Sequence, residues 1–173
     1  KRVRALLTAV ARNVATEVSI SVLARDAGGA DESMGRDTVR EYLDALEREI
    51  GLHAQALGAR QRVTQLHFGG GTPTFLSDAE LSRLMAAIGL AFDLAPDAEC
   101  SIEVDPRTAT PERLQHLAAL GFNRISFGVQ DFDPEVQQAV HRVQPFEQVE
   151  ALMKSAREIG FVSINVDLIY GLP

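Results

Sequence analysis

From Val63 onward the chain repeats one unit: a short apolar run with strand character, a polar turn, and a capped helix with an apolar stripe. Val63 to Phe68 leads to a helix over Asp78 to Phe92, opened by the Ser77 and Glu80 capping box and striped by Leu81, Leu84, Met85 and Ile88. Glu99 to Val104 leads to a helix with Thr110 as cap, Pro111 at its first position, and Leu114, Leu117 and Leu120 on one face. Arg124 to Val129 leads to a helix opened by Asp133 and Pro134. A further helix, Phe146 to Ile159, stops at Gly160 and delivers the chain into a strand over Val162 to Ile169. Alternation at this spacing requires a parallel sheet with right-handed crossovers, so the expected class is α/β. Gly171-Leu172-Pro173 follow the last strand with no covering helix, and the unit reads as an incomplete (β/α) barrel.

Ahead of these units, Val39, Leu43, Leu46, Ile50, Ala54 and Leu57 keep a helical step from Asp37 to Leu57, and Gly58 stands where a helix stops. Acids outnumber bases on that helix, which makes it a poor reader of DNA. Lys1 to Arg12 reads as a short amphipathic helix, and Gly28 to Ser33 as a loop. Between them, Glu17 to Leu23 fits either a helix of a helix-turn-helix pair or a first strand with Val18, Ile20 and Val22 alternating. The expected division is a small helical segment over residues 1–36 and a partial barrel over 37–173.

A net charge of -7 disfavours nucleic acid and anionic membranes as partners of the whole chain. Apolar runs are too short to cross a bilayer, and the expected location is the cytoplasm. The lone cysteine, Cys100, excludes an internal disulfide framework and any all-cysteine metal site built from this chain.

In parallel α/β folds, ligands collect at the carboxyl ends of the strands, where the loops converge. The first strand runs into Gly69-Gly70-Gly71-Thr72, a turn stripped of side chains whose backbone can approach a ligand closely. The second ends on Glu103 and Asp105, the third on Ser126 and Gln130, and the fourth on Asn165 and Asp167. His141 and Arg142 fall near the end of the helix after Gln130. Carboxylates, an amide and a guanidinium suit a zwitterionic ligand that also bears hydroxyls. Each also has a plainer reading: strand-end charges for Glu103 and Asp105, a solvated helix terminus for Arg142. Asp167, between Val166 and Leu168 in a run expected to be buried, demands a partner. His53 and His67 read as packed or exposed residues, since neither has a second histidine at ligand spacing.

From about Tyr42 to Pro173 the chain resembles the oxygen-independent coproporphyrinogen III oxidase (coproporphyrinogen dehydrogenase) family of radical S-adenosylmethionine enzymes. The resemblance rests on Gln65 to Thr74, Ser101 to Arg107, Gly121 to Phe132 and Asn165 to Pro173. It implies a radical-SAM-type partial TIM barrel. It further implies that Gly70, Gly71 and Thr72 contact the methionine end of S-adenosylmethionine, that Glu103 and Arg142 address its ammonium and carboxylate, and that Gln130 and Asp167 hold the ribose. Family members cleave this cofactor reductively with a 4Fe-4S cluster, and the deoxyadenosyl radical takes hydrogen from propionates of coproporphyrinogen III, which become vinyl groups in haem synthesis.

One family feature is missing. The cluster cysteines, spaced C-x3-C-x2-C, belong after the first strand, where this chain reads Arg25 to Ser33 without a thiol. Cys100 cannot replace three convergent thiolates, so the chain as written is expected not to run the radical chemistry. Arg2 to Glu47 resembles instead a winged-helix-like region of bacterial AAA-like ATPases, and a junction is expected where the two resemblances meet, at Glu41 to Arg48. The alternative function is a helix-turn-helix interaction module joined to a non-catalytic barrel remnant.

Overall fold

The computed structural model describes residues 32–70 and 72–172, with side chains from residue 37. The expected helix over Lys1 to Arg12, the ambiguous Glu17 to Leu23, and Gly71 lie outside these residues. The described residues form two compact units, one from residues 32–63 and 70–96, the other from 64–69 and 97–172.

In the first unit, helix α1 spans Glu32–Leu57 and helix α2 spans Asp78–Ala91. α1 starts earlier than the expected Asp37 and takes in the last residues of the expected Gly28 to Ser33 loop. Gly35 weakens a helix by only about 1 kcal/mol, which the long periodic stretch behind it outweighs. Its end is as expected, with Gly58 at φ +77. Ser77 and Glu80 form the reciprocal capping box of α2, with the Ser77 amide donating to the Glu80 carboxylate at 2.7 Å. Val39 and Leu43 of α1 and Leu81, Leu84, Met85 and Ile88 of α2 are buried. Beside this stripe the Arg83 guanidinium donates to Glu47 at 2.6 and 2.7 Å and to Asp44, tying the helices by a charge pair. Gly70, at φ +82, and Thr72, which caps the 3-10 turn Pro73–Phe75, belong to this unit.

The strands are β1 (Arg62–Phe68), β2 (Asp93–Val104), β3 (Arg124–Gln130) and β4 (Ser163–Leu168), in the order β1-β2-β3-β4. β2 starts well before the expected Glu99. Pro96 lacks an amide donor and reads as a break, yet such a residue is tolerated where a strand has an unpaired edge. The β2–β3 and β3–β4 pairs are parallel, with Glu103 opposite Ser126, Ser126 opposite Asn165, and Gly128 opposite Asp167.

Side chains alternate across this sheet. Cys100, Ile102 and Val104 of β2 and Ile125, Phe127 and Val129 of β3 point to one side and are buried. Helices α3 (Pro111–Ala119) and α5 (Phe146–Ile159) supply buried Leu114, Leu117, Val149, Leu152 and Ala156. Thr110 caps α3, Asp133 caps the short helix α4 (Pro134–Ala139), and Gly160 ends α5 in the left-handed region at φ +106. The Phe68 and Phe122 rings meet edge to face at 5.2 Å. No described helix is long and apolar enough to cross a membrane.

Candidate functional site

If the odd-numbered residues of β2 and the even-numbered residues of β3 face away from the core, every polar strand-end residue falls on one side. Such is the observed arrangement. Glu99, Ser101 and Glu103, then Arg124, Ser126, Gly128 and Gln130, are all less buried than their apolar neighbours. His67 of β1 and Asn165 and Asp167 of β4 join Glu99, Ser101, Glu103, Arg124 and Ser126 around a cavity of about 270 Å³, whose lining does not include Gly128, Gln130 or Arg142.

Across this face the groups stand in a definite order. Glu103 sits beside His67, whose Nε2 is 3.5 Å from Oε1 of the carboxylate, while His67 Nδ1 lies 2.8 Å from Ser101 Oγ. Next along, the Ser126 hydroxyl donates to Asp167 Oδ2 at 2.8 Å. Gly128 follows, and a Cβ built there would stand 3.2 Å from Gln130 Nε2 and 3.5 Å from Arg142 Nη1, so both side chains converge over that glycine. Arg142 Nη1 donates to the Gly128 carbonyl at 3.2 Å. Glu103 and Asp167 are two strands apart, about 10 Å sideways. The face thus carries a carboxylate beside an imidazole on β2 and β1, a hydroxyl-bridged carboxylate on β4 and β3, and, further along β3, an amide with a guanidinium over Gly128.

Two backbone features fix the far end. Gln130 adopts φ +74 where the β3–β4 register slips between Gly128 and Gln130, and its carbonyl accepts from the Ile169 amide at 2.8 Å. A non-glycine residue in the left-handed region is held there by its surroundings. Arg142 lies just beyond the end of α4, near the helix end as expected, its amide donating to the Gln137 carbonyl at 2.8 Å, and the loop it opens is firmly braced. Gln137 Nε2 donates to the carbonyls of Asp131 and Gln144 at 2.9 and 3.1 Å, and the Gln144 amide donates back to Gln137 Oε1 at 3.0 Å. Asp105 holds Arg107 through several hydrogen bonds, and Arg107 Nη1 donates to the His141 carbonyl at 2.9 Å. Asp105, Gln137 and Gln144 are the buried polar side chains among the described residues, and all three serve this one segment.

Three sequence expectations need correction. Asp105 is not a rim carboxylate: it is 7% exposed, absent from the cavity lining, and committed to Arg107. Asp167 has the partner it was expected to need, but it is exposed, because this side of β4 is not covered by apolar side chains. His67 is exposed, as one of its two readings allowed, yet it lines the cavity against Glu103. The sequence carries a signal for this: His67 stands two residues before Gly69 on a strand, which puts both on the same side, whatever its spacing from other histidines.

Gly69 explains why this corner is glycine. Its φ is not in the left-handed region, so its backbone does not require glycine, but a Cβ there would lie 2.6 Å from Glu103 Oε1 and still closer to His67 Nε2. The space is the requirement. A Gly69→Ala replacement pushes both side chains off their positions while the strand persists, so a large loss of ligand affinity with little change in melting temperature is expected from calorimetry and thermal unfolding.

Residues 38–173 match the model of the Radical SAM superfamily. The chain is 57% identical over 133 residues to the oxygen-independent coproporphyrinogen III oxidase of Escherichia coli (strain K12), covering 77% of this chain and 29% of that relative. It is 50% identical over 133 residues to the protein of the same description from Helicobacter pylori (strain J99), covering 76% of this chain and 29% of the relative. A solved structure of coproporphyrinogen III oxidase from Escherichia coli, described as a radical SAM enzyme, superposes with a TM-score of 0.74 at 56% identity, over 78% of this chain and 31% of that one. The chain therefore spans about 29% of the length of these curated relatives. The family match starts at residue 38 and leaves the winged-helix-like resemblance of the preceding residues unsupported.

Proposed function

We propose that this chain, which belongs to the radical SAM superfamily, is the S-adenosylmethionine-binding part of a coproporphyrinogen III dehydrogenase, the reaction being loss of carbon dioxide from propionates to leave vinyl groups. The observation that carries this reading is the shared face of Glu103, Ser126, Asp167, Gln130 and Arg142. An aminoacyl nucleoside offers an ammonium and a carboxylate at one end and a vicinal diol at the other, and Glu103 and Asp167 stand two strands, about 10 Å, apart across the sheet.

In this reading Glu103 holds the ammonium by a charge-assisted hydrogen bond, and Arg142 forks onto the carboxylate. Asp167, oriented by Ser126, accepts from the ribose hydroxyls, and Gln130 donates or accepts beside it. The family resemblance adds Gly70, Gly71 and Thr72, which follow Gly69 in the chain, at the methionine end. The cofactor would supply hydrogen abstraction only after a one-electron reduction had cleaved it, and no residue of this chain is assigned that electron. The chain's net negative charge favours approach of a ligand that is cationic at its sulfonium and ammonium.

The donor set does not fit the iron-sulfur cluster of the family. Its single thiol, Cys100, is buried among apolar side chains in β2, and burial pushes that thiol up, away from the thiolate an iron requires. No step through a cluster is assigned to this chain.

Titration calorimetry with S-adenosylmethionine tests the binding reading: saturable heat is expected, and no heat in the intact chain would remove it. Gln130→Gly adds a second check. Glycine adopts φ +74 without the strain that glutamine bears, so stability should change by less than about 1 kcal/mol. Affinity should nevertheless drop several-fold if the amide touches the ribose.

A further inference from the structure

We propose that His67 is a positioning residue for Glu103, with Ser101 as its anchor, and that the three side chains together form the seat for the ligand's ammonium. The inference rests on the reading of this face as an S-adenosylmethionine site. His67, Ser101 and Glu103 all line the cavity. Ser101 Oγ lies 2.8 Å from His67 Nδ1 and 3.4 Å from the Leu66 carbonyl. Where the serine hydroxyl turns from the Leu66 carbonyl to donate to Nδ1, Nε2–H points at Glu103 Oε1. At 3.5 Å the second contact is electrostatic and not a formed hydrogen bond, so it steers the carboxylate without neutralising it.

Such a contact contributes little to folding. The His67 side chain is 60% exposed, and exposed pairs of this kind are worth little to stability. Its effect lies in restricting a flexible side chain. The imidazole stands on one side of the Glu103 carboxylate and Gly69 beneath it, which narrows the rotamers the carboxylate can take. Its place is kept clear because Gly69 has no Cβ. A carboxylate held ready loses less freedom when the ammonium arrives, and the gain appears in affinity for ligands that carry the ammonium and in no others.

The test compares two ligands on the full chain. S-adenosylhomocysteine carries the aminoacyl end, and 5′-methylthioadenosine lacks it. His67→Ala and Ser101→Ala should each weaken S-adenosylhomocysteine binding about tenfold, the lower range for partners that orient a ligating group, and leave methylthioadenosine within about twofold. His67→Gln, which keeps a donor near the Nε2 position, should recover part of the loss. Melting temperatures should shift by no more than about 2 °C. Equal losses for both ligands, or no loss for S-adenosylhomocysteine, would overturn the positioning role while the nucleoside site stands. If Asp167→Ala also fails to weaken methylthioadenosine, or the intact chain binds neither ligand, the site reading itself falls and takes this inference with it.

Discussion

Replacing Asp167 with alanine should lower S-adenosylmethionine affinity by about two orders of magnitude and leave the folded chain nearly as stable as before. Both halves follow from the same geometry. Asp167 is exposed, and it accepts from one hydroxyl, that of Ser126, at 2.8 Å. Deleting it strands no buried group, because Ser126 is itself within reach of water. A vicinal diol, however, presents two donors to one carboxylate, and hydrogen bonds to a charged group are worth about 1.5–3 kcal/mol. Losing that pair corresponds to about a hundredfold in dissociation constant. Asp167→Asn keeps the shape and one acceptor, so an intermediate loss of about tenfold is expected. Calorimetry gives the affinities, and thermal unfolding gives the stability. A large drop in melting temperature alongside weak binding would make Asp167 a structural residue, and unchanged affinity would move the nucleoside elsewhere.

Much of this arrangement was legible in the sequence because it depends on short-range rules. Alternation in β2 and β3 assigns each residue a face, and once the strands are parallel, Glu103, Ser126 and Asp167 must share one. Caps at Ser77, Thr110 and Asp133 and the left-handed glycines at 58 and 160 set helix ends by local chemistry alone. What escaped the reading depends on contacts distant in sequence. The burial of Asp105 follows from the loop around His141 folding back over it, which no local pattern announces. The exposure of Asp167 follows from the uncovered side of β4, while the apolar string Val166, Leu168, Ile169 argued for burial. His67 reads from the sequence as packed or exposed, and its neighbours, Ser101 and Glu103, come from the next strand.

The braced loop supplies the other large effect. Asp105→Ala should cost about 3 kcal/mol of folding stability, near the low end for breaking a buried ion pair, because Arg107 keeps about a third of its side chain in water. Burial pushes the Asp105 carboxyl up, but the hydrogen bonds and charge of Arg107, with the charge of Arg142, more than offset it, and the net direction is down. A carboxyl whose folded pKa is depressed binds protons less readily than in the unfolded chain, so its contribution is complete above the unfolded value near about 3.9 and is lost as pH falls through the lower folded value. Acid unfolding measured from pH ~6 to pH ~2 should therefore be less steep in Asp105→Asn than in the parent chain. Half-buried Asp44 and exposed Glu112 are also shifted down, and they contribute equally to both proteins, so the difference isolates Asp105. Because Arg107 carries the His141 carbonyl, and Arg142 is the next residue, the same variant should also weaken binding of ligands that bear a carboxylate. Parallel acid-unfolding slopes in the two proteins would mean that Arg107 does not hold Asp105 ionised, and the brace under Arg142 would have to be sought in Gln137 and Gln144 alone.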